Sequence, residues 1–320
     1  MSSTEITVPL PDKCIDELDS LTAQLTSDNI NNVNTSGLSA CAEFATELRN
    51  ILFDGIGVVV IDRLPVERYN TDQSRRLAGV MANMISPLMA QDVNDTYLYD
   101  VIDAAGQSKS EAEKKAFTRR SKTNVSQPFH TDGPWFETPP HLVGLFCISP
   151  AAKGGLSQVS SLHEAVEQVQ RKGTDAGTYH RAVAWNKMGE HKPTEPPTRD
   201  LPIVEPSAGA TIMRHYADYV RTGFGLSDTE MPNAVDVLLA DLDAALAKNA
   251  CEPFKLEAGQ FQYINNWALA HARAGFNDDP AANSGRHLVR LWNHSPIAEQ
   301  CGMEQEQRQQ QVPEPALAHS

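Results

Sequence analysis

The chemistry-bearing stretch of this chain is His130-Thr-Asp132. In an extended segment, side chains two positions apart leave from the same face. An imidazole nitrogen and a carboxylate oxygen would then converge on one point. Joined by one distant His, such a pair is the two-His-one-carboxylate set, which holds Fe(II) and leaves coordination positions open. By itself the triplet also fits a surface turn. A third ligand, a cosubstrate site and a scaffold must come from elsewhere in the chain.

The candidate third ligand is His271, in Asn265-Asn-Trp-Ala-Leu-Ala-His-Ala-Arg273. Beyond it, Arg286 and Arg290 lie at spacing four in one strand-like run, which puts both on one face with Leu288 between them. Guanidinium forks suit carboxylates bidentately. The other reading of the pair is surface arginines held by Asp or Glu. Candidate substrate residues are Tyr99, Asn124, Trp135, Phe136, Arg214 and Tyr216. The aromatics at 135 and 136 also suit core packing. Arg214 and Arg290 suit a carboxylate, sulfonate or phosphonate.

Elements that could position these groups follow from periodicity. Apolar residues at helical spacing predict helices from Ser39 to about Leu52, from Thr71 or Asp72 to about Ile85, from Ser161 to Lys172, and over Ala234–Asn249. The last carries a stripe of Val235, Val237, Leu238, Leu239, Leu242, Ala245 and Leu246. Strands are expected at Ile56–Ile61, Tyr97–Ile102, His141–Ile148, Leu156–Ser161, Ala182–Trp185 and Arg286–Trp292. His271 is expected on a loop after a strand, and Lys192–Pro206 reads as Pro-rich turns. Many short strands with Gly/Pro turns and no βαβ alternation predict a mainly β fold with flanking helices, a double-sheet jelly roll of the cupin type. The polar residues 1–35 read as an arm touching the domain at a few points. Residues 36–297 read as a single domain, 103–123 as a solvated loop or a lid, and 298–320 as a disordered tail.

The net charge of −14 argues against a nucleic-acid backbone or an anionic membrane surface as partner. The start of the chain lacks the charged and apolar regions of a signal peptide, and no apolar run is long enough to span a bilayer. Five widely spaced Cys without a C-x-x-C suit a reduced, cytoplasmic chain. The expected partner is a small molecule.

Taken in order, His130-Thr-Asp-Gly-Pro, Pro139-Pro-His, Gly154-Gly-Leu-Ser157, Asn265-Asn-x₄-His271-x-Arg273 and Arg286-x₃-Arg290 resemble the TauD/TfdA family, the taurine dioxygenase-like and clavaminate synthase-like Fe(II)/2-oxoglutarate-dependent oxygenases. The likeness runs from about Leu52 to Trp292. It implies a double-stranded β-helix core, with His130, Asp132 and His271 as iron ligands. It also implies Arg286 on the distal carboxylate of 2-oxoglutarate, Ser157 assisting there, and Arg290 beside the cosubstrate or an anionic substrate group. The sequence departs at Gln260, where relatives commonly have Asp, and at Ala270, where Leu is usual. Halogenating relatives have Gly or Ala where this chain has Asp132, so the resemblance implies oxygenation: Fe(II), 2-oxoglutarate and O₂ used to hydroxylate an unactivated C–H of a small, anionic or amino-acid-like metabolite, with release of succinate and CO₂. Desaturation or cyclisation at the same centre in natural-product assembly is the alternative. A non-catalytic jelly-roll binding protein is the alternative of another class.

Overall fold

The computed structural model describes residues 3–103, 123–207, 210–278 and 285–295. The expected lid at 103–123, its two end residues apart, and the expected tail at 298–320 lie outside the described residues.

Two sheets build the core. The larger runs Thr7–Pro9, Val58–Asp62, Phe261–Asn265, Leu142–Ser149, His287–Asn293 and Leu88–Met89, with Tyr99–Ile102 also paired to His287–Asn293. The smaller runs Gln127–His130, Leu269–Arg273 and Ser157–Ser161. The expected jelly roll is the fold observed. The strand Val58–Asp62 shows why its sequence is unbroken Val and Ile. Val58 and Val60 pack between the sheets, while Val59 and Ile61 pack on the opposite face. A strand covered on both faces reads as a continuous apolar run.

The outer face of the large sheet is covered by the helices Ser39–Arg49 and Thr71–Ile85, through Phe44, Leu48, Leu77 and Met81. The second helix is capped by Asn70, one residue before the first of the expected caps, Thr71, and two before Asp72. The Asn70 side chain accepts from the Gln73 amide while Gln73 returns the bond, a capping box. The helix Asn233–Asn249 covers the small sheet with Val235, Leu238, Leu239, Leu242 and Leu246. Val237, expected in that stripe, is exposed. The helical phase puts it on the far side of the stripe.

Residues 3–32 do more than touch the domain at a few points. Thr7–Pro9 adds a parallel strand to the large sheet, and the helix Asp12–Asp19 buries Cys14 and Leu18 completely. The apolar residues here are sparse but fall on one face, so a polar composition still builds a packed helix. Lys192–Pro206 likewise holds pairing. Thr198–Pro202 pairs with Ala182–Asn186, and Val204–Ser207 with Ala210–Met213. Among the described residues no helix is long and apolar enough to cross a membrane. Cys14, Cys41, Cys147 and Cys251 are free and buried.

Candidate active site

His271 lies on a strand, Leu269–Arg273, and not on the loop expected from its sequence. In the antiparallel ladder its direct partner on one side is His130, and on the other Val159. Directly opposed residues project from the same face, so register alone brings two imidazoles together, with ring centroids 4.1 Å apart. The strand Gln127–His130 ends at the first of them. Asp132 sits in the turn that leaves the sheet, where Gly133 has φ +60 and a Cβ would press on Phe136 and Pro140. Asp132 Oδ1 is 3.4 Å from His130 Nε2 and 4.0 Å from His271 Nε2. One ligand atom from each residue falls within 4.8 Å of the others, and all three residues are buried.

The surroundings orient this triad. His130 Nδ1 lies 2.9 Å from the Pro128 carbonyl. A carbonyl only accepts, so Nδ1 carries the proton and Nε2 is left as an acceptor, 2.9 Å from the Gln127 amide nitrogen. Asn266 holds Asp132 by its backbone: its Oδ1 accepts from the Asp132 amide at 2.8 Å, and its Nδ2 donates to the Asp132 and Pro140 carbonyls. On the side chain, Trp292 Nε1 donates to Asp132 Oδ2 at 2.8 Å and Arg290 Nη1 lies 3.3 Å from the same oxygen. Burial works against the Asp132 charge, but the Arg290 guanidinium beside it outweighs burial and holds the carboxyl well below the usual carboxylate range. Burial, with His130 adding to it, pushes His271 down to about 3. Asp132 is thus a carboxylate and His271 a neutral imidazole, the forms that ligate a metal.

A small cavity opens beside the triad. Among its lining residues are His130, Asp132, Ser157, His271, Arg273, Arg286 and Arg290. Arg286 stands just before the strand His287–Asn293, with its guanidinium over the Phe276 ring and Nη1 buried without a hydrogen-bond partner. Burial, and then neighbouring Arg273, push it down to about 10. A buried cation with an open donor is a cradle for an anion. A second small cavity reaches the triad from the side of Thr131, Gly133, Trp135, Tyr216, Tyr219 and Trp292. Arg290 and Gln127 line both.

The description "Taurine catabolism dioxygenase TauD, TfdA family" belongs to the family model that matches residues 19–292. The chain belongs to this family. It is an iron- and 2-oxoglutarate-dependent oxygenase, an oxidoreductase. Among curated relatives, the FR-33289 synthase of Streptomyces rubellomurinus is 25% identical over 244 residues, which are 74% of this chain and 69% of its own. A taurine hydroxylase-like protein of Stachybotrys chartarum is 25% identical over 171 residues, 51% of this chain and 41% of its own. Of solved structures, the non-heme iron oxygenase OrfP matches with TM-score 0.68 at 13% identity, over 93% of this chain and 96% of that one. An asparagine oxygenase matches with TM-score 0.65 at 14% identity, over 90% and 93%. At such identities the structures show the shared fold.

In this TauD/TfdA oxygenase the anticipated residues divide. His130, Asp132, His271, Ser157, Arg286 and Arg290 meet at one cavity, and Trp135 and Tyr216 line the other. Phe136 packs edge-on against Trp292. Tyr99 lies beneath the Arg290 guanidinium, 4.8 Å from it. Asn124 is exposed, and its carbonyl accepts from the Phe276 amide. Arg214 is fully buried, ion-paired to Glu205 at 2.7 Å and donating to the Glu137 carbonyl. None of these last four lines either cavity. Arg214 cannot serve an incoming anion while Glu205 and the 137 carbonyl hold it. Gln127, Asn266 and Trp292 are site residues that motif reading passed over. For Trp292 a signal existed: Leu288 and Arg290 continue by twos to it.

Two buried histidines set the acid response of the metal-free protein. Burial pushes His141 down to about 4, as it does His271 to about 3. In the unfolded chain both protonate near 6.5. Between those values the unfolded state binds more protons, so stability rises with pH across that window and is lost as pH falls below about 6.5. Urea midpoints are expected to drop between about pH 7 and about pH 5. His141→Phe should flatten the slope. An unchanged slope would mean that His141 charges freely in the fold.

Proposed function

We propose that this chain hydroxylates an unactivated C–H of a small, amino-acid-like or anionic metabolite, with His130, Asp132 and His271 holding the iron. The carrying observation is the buried triad, three ligand atoms within 4.8 Å of one another, beside a cavity whose arginine has an open donor. The donor set fits Fe(II) by type, and a two-His-one-carboxylate face leaves positions for cosubstrate and O₂. When bound, the iron with 2-oxoglutarate supplies the oxidising power: the substrate C–H, O₂ and 2-oxoglutarate go to C–OH, succinate and CO₂.

The chain's own residues do the rest. Arg286, with Ser157 in the same cavity, receives the distal carboxylate of 2-oxoglutarate. Arg290 stands where the two cavities meet, with Nη2 buried and unpartnered beyond its contacts to Gln91 and Asp132. That donor suits a carboxylate on the substrate, whose body lies against Trp135, Tyr216 and Tyr219. The relatives support this class. The asparagine oxygenase structure contains Fe(II), hydroxyasparagine and succinate, and an OrfP structure contains Fe, succinate and hydroxy-L-Arg. The burial of the site excludes water from the reacting centre. The free, buried cysteines suit a reducing compartment such as the cytoplasm.

Anaerobic addition of Fe(II) and 2-oxoglutarate should give a visible charge-transfer band that His130→Ala and His271→Ala both abolish. A panel of free amino acids should then perturb that band, and succinate should form with those that do. Gain of one oxygen in the product marks hydroxylation. Loss of two hydrogens marks desaturation or cyclisation. A well-folded protein without the band would reject the reading.

A further inference from the structure

Asp132 offers its two oxygens to different partners. Oδ1 faces His130 and His271. Oδ2 accepts from Trp292 Nε1 at 2.8 Å and lies 3.3 Å from Arg290 Nη1. Arg290 and Trp292 are two apart on the strand His287–Asn293, so both project from the same face towards this carboxylate. The guanidinium carbon of Arg290 also sits 4.6 Å from the centroid of the Trp292 ring system. Trp292 is itself buried, anchored by pairing to Val143 and Met89 and by the edge of Phe136. Its N–H is therefore held in place by packing.

We propose that Trp292 is a positioning residue for the metal centre: its indole N–H, with Arg290, occupies Oδ2 so that Asp132 presents Oδ1 alone. A carboxylate free to swing or to chelate through both oxygens would take up a coordination position that cosubstrate and O₂ require. An indole N–H suits the task because it only donates and cannot be deprotonated or become a competing ligand. Arg290 alone would not suffice, because its guanidinium is shared with Gln91 at 2.8 Å and adjoins both cavities. This inference rests on the iron site proposed above.

The test uses Co(II), whose visible bands report coordination, added to the full chain without cosubstrate. Trp292→Phe keeps an aromatic ring and loses the N–H. It should weaken Co(II) about 10- to 100-fold, the usual cost of losing a partner that orients a metal ligand, and should shift the bands. Phe136→Leu removes a packing neighbour of the indole but leaves the N–H; it should lower thermal stability while leaving affinity and bands alone. Benzothienylalanine at position 292, which replaces the N–H by sulfur within an intact ring system, should reproduce Trp292→Phe should that variant fold poorly. Unchanged affinity and bands in the N–H-free variants would overturn the proposal, as would equal shifts in Phe136→Leu. Co(II) binding that survives His130→Ala and His271→Ala would instead reject the iron site itself.

Discussion

Asp132→Ala is expected to weaken metal binding and abolish hydroxylation, and also to destabilise the metal-free protein by about 3–5 kcal/mol. The second effect follows from who is left behind. Asp132 is the anionic partner of Arg290 in a site where both are buried, and the acceptor of the Trp292 indole N–H. Truncation leaves a guanidinium without its counter-charge and an N–H without an acceptor. Breaking such a pair costs far more than the pair contributes net. Asp132→Asn separates the two roles. It keeps an acceptor for Trp292 and loses the charge, so it should recover part of the stability and none of the turnover. Urea denaturation of the metal-free proteins, beside a metal titration, reads both. If Asp132→Ala unfolds at the wild-type midpoint, then Arg290 is not sustained by Asp132.

Arg286→Ala is expected to raise the KM for 2-oxoglutarate by about 30-fold to over 1,000-fold. Losing one side of a buried, hydrogen-bonded charge pair costs about 2–5 kcal/mol, and each 1.4 kcal/mol is about tenfold. Without cosubstrate the sign differs from that at Asp132. Arg286 is a buried cation beside Arg273, over the same Phe276 ring, with Nη1 unpartnered. Its removal should leave the metal-free stability unchanged or slightly higher. Arg286→Lys keeps the charge but not the two-pronged fork, so it should fall between. Titration of 2-oxoglutarate against the Fe(II) charge-transfer band measures the first effect, and denaturation without cosubstrate measures the second. An unchanged cosubstrate affinity in Arg286→Ala would move the distal carboxylate elsewhere. The opposed stability effects expected at the two positions follow from how the site is arranged. One buried charge is satisfied within the chain, and the other awaits a ligand.

Much of this site is legible from side-chain type and spacing. His130 and Asp132 are two apart, the Arg286–Arg290 run is a strand-like stretch, and Gly-Gly-x-Ser opens the strand that carries Ser157. These are local statements, and the alternation of a strand carries them. Arg214 shows where that kind of reading stops. Its sequence offers a free cation, and only the fold places Glu205 2.7 Å from it and removes it from the substrate side. The N-terminal stretch stops it differently, since its strand exists only because Val58–Asp62 is there to pair with.

The sequence by itself determined which atoms are available: two imidazoles, one carboxylate, a pair of arginines and the β-rich scaffold for them. Tertiary structure decided which of them meet. His130 faces His271 because two strands far apart in the chain pair in one register, and a slip of one residue would turn either imidazole to the other face of the sheet. The same pairing logic sends Trp292 and Arg290 to one oxygen of Asp132 and leaves the other for the centre. Register is set by the packing of both sheet faces at once. That is a sum over residues distant in sequence, and no local spacing contains it.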